Sequence, residues 1–446
     1  MNKRLANIFK GDKVIWMIFF FLCLVSIVEV FSASSLLTIK GESYWSPLIK
    51  HVGTIVMGII AMVAVLNVPC KYFKVATFPM LGLSVLLLLI VLLFGQSTNG
   101  ASRWLSLFGM QFQPSEIAKG TLVLAVAQIL SAMQTEKGAD KQAFWWVICT
   151  SLIIVVPILL ENFSTAMLIC IVIYAMMFIA RVPAAQLGKL AGVVLIAGVI
   201  GVCSIMAFGK DNEQLNKESS MAEKTELVDG IGNEATLTAN ASTAVMDATP
   251  VAEGEGEAPS VQRHGILHRF DTWKSRIMKF LNNEYVAPKD YDLDKDAQVA
   301  HANIAIVQSN GYGRGPGNSN ERDFLSQAFS DFIYAIIIEE TGIEGAAIVA
   351  MLYVVIFFRA GRIARNCANT FPAYLAMGIG LLLVVQAMFN MMVAVGIAPV
   401  TGQPLPLISK GGTSTMINCV YIGMLLSISK SAKKREPKVQ TAAVKA

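Results

Sequence analysis

The chain has 446 residues, of which 54% are hydrophobic and only 15% charged, with a net charge of +5 and a mean hydropathy of +0.57. That leaves too little polar surface to coat a water-soluble globule of this size, so the chain belongs in a bilayer. The positive excess lies in short scattered clusters, and no patch is suited to nucleic acid.

A spanning helix needs about 20 mainly apolar residues. On that criterion the stretches 14–34, 50–68, 75–95, 115–133, 144–160, 164–180, 185–208, 331–358, 372–395 and 412–428 qualify. The fifth and sixth are short and divided only by ENFST, so they read as a kinked hairpin or one tilted pair. The first apolar run is too long for a cleavable leader. Lys3, Arg4, Lys10 and Lys13 precede it. Alternate loops then carry Lys71 and Lys74, Lys137 and Lys141, Arg181 and Lys189, and Arg359, Arg362 and Arg365, before the tail with Lys433, Lys434, Arg435 and Lys438. The positive-inside rule places all of these in the cytoplasm. The expected fold is an all-α polytopic membrane protein. It has about ten transmembrane helices, cytoplasmic N and C termini, and a large extracytoplasmic loop between helices 7 and 8. Helices 1–7 occupy 1–208, the loop 209–330, helices 8–10 residues 331–430, and a basic tail 431–446.

Seven cysteines fall almost entirely in the apolar stretches or at their cytoplasmic edges, a distribution suited to neither disulfides nor cysteine metal sites. Four histidines are too dispersed for a metal centre. Within the large loop, about 210–260 is rich in Glu, Asp, Ala, Thr and Gly and nearly lacks aromatics, the composition of a disordered acidic insertion. From His264 onward, Trp273, Met278, Phe280 and Tyr285 return beside basic residues. This reads as an amphipathic helix on the membrane surface, with a partner-contact surface as the alternative. The spacing of Gly311, Gly313, Gly315 and Gly317 suits a flexible turn better than a nucleotide loop, since no strand precedes it and Pro316 interrupts it.

The chemistry-bearing residues lie near the outer ends of the apolar stretches. Arg103, Glu116 and Lys119 stand at or inside a predicted helix, where charge is costly and points to function. Glu116 and Lys119 are three apart and share one helix face, so a buried ion pair is their structural role. Pro114 suits the first turn, with Ser115 helping to cap it. Asp331 opens a long apolar helix, either as an N-cap together with Ser330 or as a general base. Glu339 and Glu340 lie about 12 Å further in at 1.5 Å per residue, to be paired with Lys119, Arg103 or Lys410, or protonated. The segment 399–414 is too dense in Pro and Gly for helix. It reads as a re-entrant lid in which Ser409, Gly411 and Gly412 offer backbone N–H groups to anions.

Three segments together resemble one family: NGASRWLSLFGMQFQPSEIAKG at 99–120, GYGRGPGNSNERDFLSQAFSDFIYAIIIEETG at 311–342 and NMMVAVGIAPVTGQPLPLISKGGTS at 390–414. They are similar to the signatures of the SEDS family (shape, elongation, division and sporulation), whose members polymerise bacterial peptidoglycan from lipid II. The resemblance implies that Asp331 is the catalytic carboxylate, and that Arg103, Lys119, Glu116, Ser409, Lys410, Gly411 and Gly412 bind substrate. It leaves a divalent cation, Mg2+ or Mn2+, open without naming ligands for it, and implies no organic cofactor. The implied partners are lipid II, a glycan on undecaprenyl diphosphate, a class B penicillin-binding protein and other membrane proteins of the division machinery. The start of the chain looks closer to the division-type member than to the elongation type, and implies septal placement in the cytoplasmic membrane. Two other classes share the gross features: a lipid II flippase or transporter, and a noncatalytic division scaffold. Departures from the family pattern are Phe329 and Ser330 for His-Thr, Gln327 for Glu, Lys410 for Tyr, His301 for Gln, and Glu161-Asn162-Phe163-Ser164-Thr165-Ala166 for Pro-Asp-Leu-Gly-Thr-Ala.

Overall fold

Asp12 starts the first helix by accepting, at Oδ1, the N–H groups of Val14 (2.8 Å) and Ile15 (3.3 Å), which a helix start leaves without intrahelical partners. The computed structural model describes residues 10–32, 45–94, 96–98, 101–107, 110–136, 138–208, 274, 278, 293–325 and 330–433. The stretches 210–260 and 264–289, apart from Lys274 and Met278, lie outside the described residues, so the acidic insertion and the surface helix are sequence readings only.

The helices are α1 (Lys13–Ser32), α2 (Trp45–Asn67), α3 (Cys70–Phe94), α4 (Pro114–Ala132), α5 (Lys141–Glu161), α6 (Phe163–Ile179), α7 (Ala184–Phe208), α8 (Leu293–Gln308), α9 (Ile333–Arg365), α10 (Thr370–Ala394) and α11 (Thr413–Lys433). Eight of them are long and apolar enough to cross a membrane. The 17-residue α6 is shorter, and α11 is too polar by composition yet mostly buried. These two and the eight coincide with the stretches read from the sequence, so the molecule is an all-α polytopic membrane protein. The residues Gly192–Glu284 form a compact unit of their own, and the rest of the chain forms another.

Among the eight, α4 and α10 are the most buried, 72% and 67% along their apolar windows. They can carry polar side chains because protein rather than lipid surrounds them. They pack on each other, α9 packs on α10, and α2 lies along α11. Asn162 alone separates α5 from α6. It is extended, and its Oδ1 accepts the N–H of Ser164 (3.2 Å) and Thr165 (3.3 Å). The two helices pack together, which resolves the segment as a hairpin.

At one end of the bundle, here the basic end, Arg359 pairs with Asp12, Ser131 bonds Thr370 (2.6 Å) and Ala139 N–H bonds Ala180 O (3.1 Å). The opposite end is the loop end. There the polar segment before α4 is an antiparallel sheet of β1 (Gln96–Thr98), β2 (Ala101–Leu107) and β3 (Met110–Phe112), with Gln96 opposite Trp104 and Leu105 opposite Phe112. The sequence reading had only a loop here. α4 then starts at Gln113, which makes no side-chain cap bond, with Pro114 in the first turn, so Ser115 is not the cap.

The glycine segment 311–317 is docked, contrary to the expectation of a flexible turn. α9 breaks at Gly342 (φ 72°, ψ −174°), a conformation nearly exclusive to glycine. Across the break Arg314 N–H bonds Glu339 O (2.9 Å), Gly315 N–H bonds Glu340 O (2.8 Å) and Ile343 N–H bonds Gly311 O (3.0 Å). A Cβ at Gly342 would fall 2.5 Å from Gly311 O, and one at Gly313 would fall 2.5 Å from Glu340 O. Gly342→Ala is therefore expected to cost at least the ~1–3 kcal/mol of a residue forced into this region, read as a lower melting temperature of the detergent-purified protein. An unchanged melting temperature would contradict the docked arrangement.

Candidate active site

Near the loop end of α4, the Lys119 ammonium is buried and donates to Glu116 Oε1 (2.8 Å) and to Gln386 Oε1 of α10 (2.8 Å). It faces the protein interior rather than an open surface, so the ion-pair role describes it better than a phosphate-facing one. Gln386 in turn donates from Nε2 to Pro404 O (3.2 Å). The Tyr421 hydroxyl of α11 donates to Glu116 O, and its ring lies against Gly120, where a Cβ would come within 2.4 Å of it. Glu116 and Lys119 thus tie α4, α10, α11 and the loop 395–412 together.

One turn along α10 from Gln386, Asn390 donates from Nδ2 to both Gln403 O (2.7 Å) and Asp331 O (2.9 Å). Gln403 donates to Thr165 Oγ1 (2.6 Å). The Ser409 hydroxyl donates to Ser330 O (2.7 Å) and accepts the Leu405 N–H (2.7 Å). Asp331 is half-buried, and its Oδ1 accepts from Ser330 Oγ (3.0 Å). The N-cap of α9 is Phe332, which makes no side-chain cap bond. Ser330 and Asp331 therefore precede the cap position rather than occupy it.

The segment 399–412 is irregular and largely buried, as expected of a re-entrant lid. It is anchored by Tyr353 OH to Pro406 O, by Ser26 Oγ to Ile408 O (2.6 Å), and by the contacts of Gln386 and Asn390. The anion role expected of the Ser409 N–H is not available, because that group donates to Leu405 O (3.0 Å), and Ser409 instead braces the loop against Ser330. Gly411 and Gly412 make no hydrogen bond through N–H among the described residues. Lys410 is half-buried, and desolvation followed by the nearby charge of Lys50 lowers its pKa. Arg103 lies in β2, but its side chain is outside the described residues.

Glu339 and Glu340 are buried, and Lys119, one of the cations expected to pair with them, is instead bound to Glu116 and Gln386. Glu339 accepts from Ser319 Oγ (2.5 Å) and Asn320 N–H (2.9 Å). Glu340 accepts from Gly317 N–H (3.0 Å) and the Ser32 hydroxyl. Arg322 bonds Ser32 Oγ and Gly317 O, both at 2.7 Å. The two acids are taken up by the docked loop, which supplies these donors and the nearby charge of Arg322.

Sequence reasoning missed Gln386, Asn390, Gln403, Thr165 and Tyr421. The available signal was two amides four apart, in QAMFN, within an otherwise apolar helix. Several polar atoms here are buried with no hydrogen-bond partner among the described residues: Glu116 Oε2, Asn390 Oδ1, Gln403 Oε1 and Thr401 Oγ1. Buried polar atoms of this kind are commonly satisfied by an ordered water. No group of three or more His, Cys, Asp or Glu side chains among the described residues is placed to hold a metal ion.

The molecule is thus a polytopic membrane protein with a polar, loop-covered site at one end of its helix bundle. The chain belongs to the cell cycle protein family of FtsW, RodA and SpoVE, the SEDS family, which it matches over residues 12–220 and 260–434. Relatives include the probable peptidoglycan glycosyltransferases FtsW of Saccharophagus degradans, 28% identical over 91% of this chain and 89% of that protein, and of Geobacter sulfurreducens, 26% identical over 97% and 99%. The fold is shared with Thermus thermophilus rod shape determining protein RodA (TM-score 0.58, 18% identity, 95% and 98% coverage). It is also shared with a chain of a peptidoglycan synthase complex that coordinates polymerisation and crosslinking (TM-score 0.64, 19% identity, 95% and 98% coverage).

Lys119→Met would leave the Glu116 carboxylate buried without its counter-charge, at a cost of about 3–5 kcal/mol. The expected outcome is a large drop in melting temperature, partly recovered in Glu116→Gln/Lys119→Met. A double variant no more stable than Lys119→Met would contradict the pairing.

Proposed function

We propose that this chain is a peptidoglycan glycosyltransferase that polymerises lipid II at the outer face of the bacterial cytoplasmic membrane. The observation that carries this reading is the placement of Asp331. A half-buried carboxylate has its backbone held from α10 by Asn390, and the adjacent Ser330 held from the re-entrant loop by Ser409, in a chain whose relatives are named for this reaction. The basic end carries Lys71, Lys74, Lys141, Arg181, Arg359, Arg362 and Arg365, which the positive-inside rule assigns to the cytoplasm, leaving the loop end outside.

In this reaction the GlcNAc 4-hydroxyl of lipid II attacks the anomeric MurNAc carbon of a glycan carried on undecaprenyl diphosphate. The C–O bond to the diphosphate breaks, undecaprenyl diphosphate leaves, and Asp331 takes the hydroxyl proton as general base. Charge growing on the diphosphate calls for cations and N–H donors. Arg103, Lys410 and the N–H groups of Gly411 and Gly412 supply that chemistry, while Glu116, Lys119 and Ser409 hold the frame. Gathering of the polar groups at one end supports chemistry there over transport, which needs a site open to both sides. A class B penicillin-binding protein as partner and a septal role follow from the same reading, supported by the structural neighbour's synthase complex and by the FtsW relatives.

The test is glycan-strand formation from purified lipid II by this protein with its cognate penicillin-binding protein, the partner's own activity blocked. Wild type should form polymer, and Asp331→Asn, which removes charge with little change in volume, should form none while keeping its melting temperature and partner binding. A fully active Asp331→Asn would overturn the general-base role. Absence of polymer from a well-folded wild-type complex would overturn the enzyme reading.

A further inference from the structure

At the basic end, away from Asp331, helices α6, α9 and α10 border an open groove of about 920 Å3, within the ~300–1,000 Å3 usual for ligand sites. Phe357, Phe358, Ala373 and Met377 make its walls apolar, and Arg362 and Arg365 stand at its rim. Three residues apart on one helix, the two arginines rise from neighbouring positions on the same face. Both are exposed, and neither makes an ion pair or hydrogen bond through its side chain among the described residues. Arg359, one turn earlier, differs in being committed to Asp12. Gly361 keeps the groove open, since a Cβ there would meet only Met377 Sδ, at 3.7 Å.

From Phe357 to Arg365 the helix rises about 12 Å, apolar at one end and doubly cationic at the other. That gradient is the shape of an amphiphile with an anionic head. We propose that the groove binds a phospholipid of net negative charge, its phosphodiester on Arg362 and Arg365 and an acyl chain along Phe357, Phe358 and Met377. The planar guanidinium matches phosphate oxygens in pairs, and basic pockets between transmembrane helices on the cytoplasmic side take such headgroups. A second copy of this chain is a poorer occupant, because it would bring further positive charge to two uncompensated arginines. The inference needs only that the chain spans a membrane, and is independent of the reaction at Asp331.

Native mass spectrometry of the full-length protein, titrated with phosphatidylglycerol and with phosphatidylcholine, tests it. The wild type should retain phosphatidylglycerol about tenfold or more over phosphatidylcholine. Arg362→Gln/Arg365→Gln should lose that preference with the melting temperature unchanged, and Gly361→Leu, with both charges intact, should retain less lipid because its side chain obstructs the groove beside Met377. Lys71→Gln/Lys74→Gln, which removes equal charge elsewhere at the basic end, should keep the preference. Survival of the preference in the arginine variant, unchanged retention in Gly361→Leu, or equal loss in the lysine variant would each overturn the proposal.

Discussion

A charge or free backbone group placed within a bilayer must find its partners inside the protein, since the hydrocarbon offers none. In this chain that constraint decides where polar residues can stand. α4 and α10 carry Glu116, Lys119, Gln386 and Asn390 because other helices shield them from lipid. Lys119 spends its donors on a carboxylate of its own helix and an amide of the next. A buried pair of this kind adds little to net stability compared with well-packed apolar residues. Its effect is to fix which helices are neighbours and in what register.

From that frame the loop end is built outward. The two amides on α10 reach the carbonyls of Gln403 and Pro404, and so hold a Pro- and Gly-rich segment that could not satisfy itself as helix or sheet. Asn390 spans the loop and Asp331 together. The backbone that carries the carboxylate is therefore held by the α10 face and by the loop as well as by the helix that Asp331 precedes. The docked glycine segment does the same for the acids further along, giving Glu339 and Glu340 hydroxyl and N–H donors, with the charge of Arg322 beside Glu340.

The helices were legible in the sequence because the bilayer imposes a length and an apolarity that few other constraints imitate. Asp331, Glu116 and Lys119 were legible as charges where charge is costly. What escaped was uncharged or distant. Gln386 and Asn390 carry no charge to mark them, although their spacing puts them on one face. The partners of Glu339 lie about 20 positions upstream in a glycine-rich run that reads as a turn. Strands β1–β3 occupy a stretch whose mixed polarity suits loop and strand equally, and pairing between them decides the outcome. Asn162 shows the reverse case: it departs from the Asp of the family pattern yet still caps α6, because only an acceptor oxygen is needed there.

The break at Gly342 also sets a height. As one continuous helix α9, with 33 residues, would be about 50 Å long, against a hydrocarbon core of about 30 Å. Counted back from Arg362, the 20 residues to Ile343 already cross that core at 1.5 Å each. The short piece before the break, with Asp331 just ahead of it, then rides at the level of the lipid headgroups. A membrane-anchored molecule carries its phosphates at that same level, so it could meet the carboxylate without drawing its charge into the hydrocarbon or lifting its tail out of it.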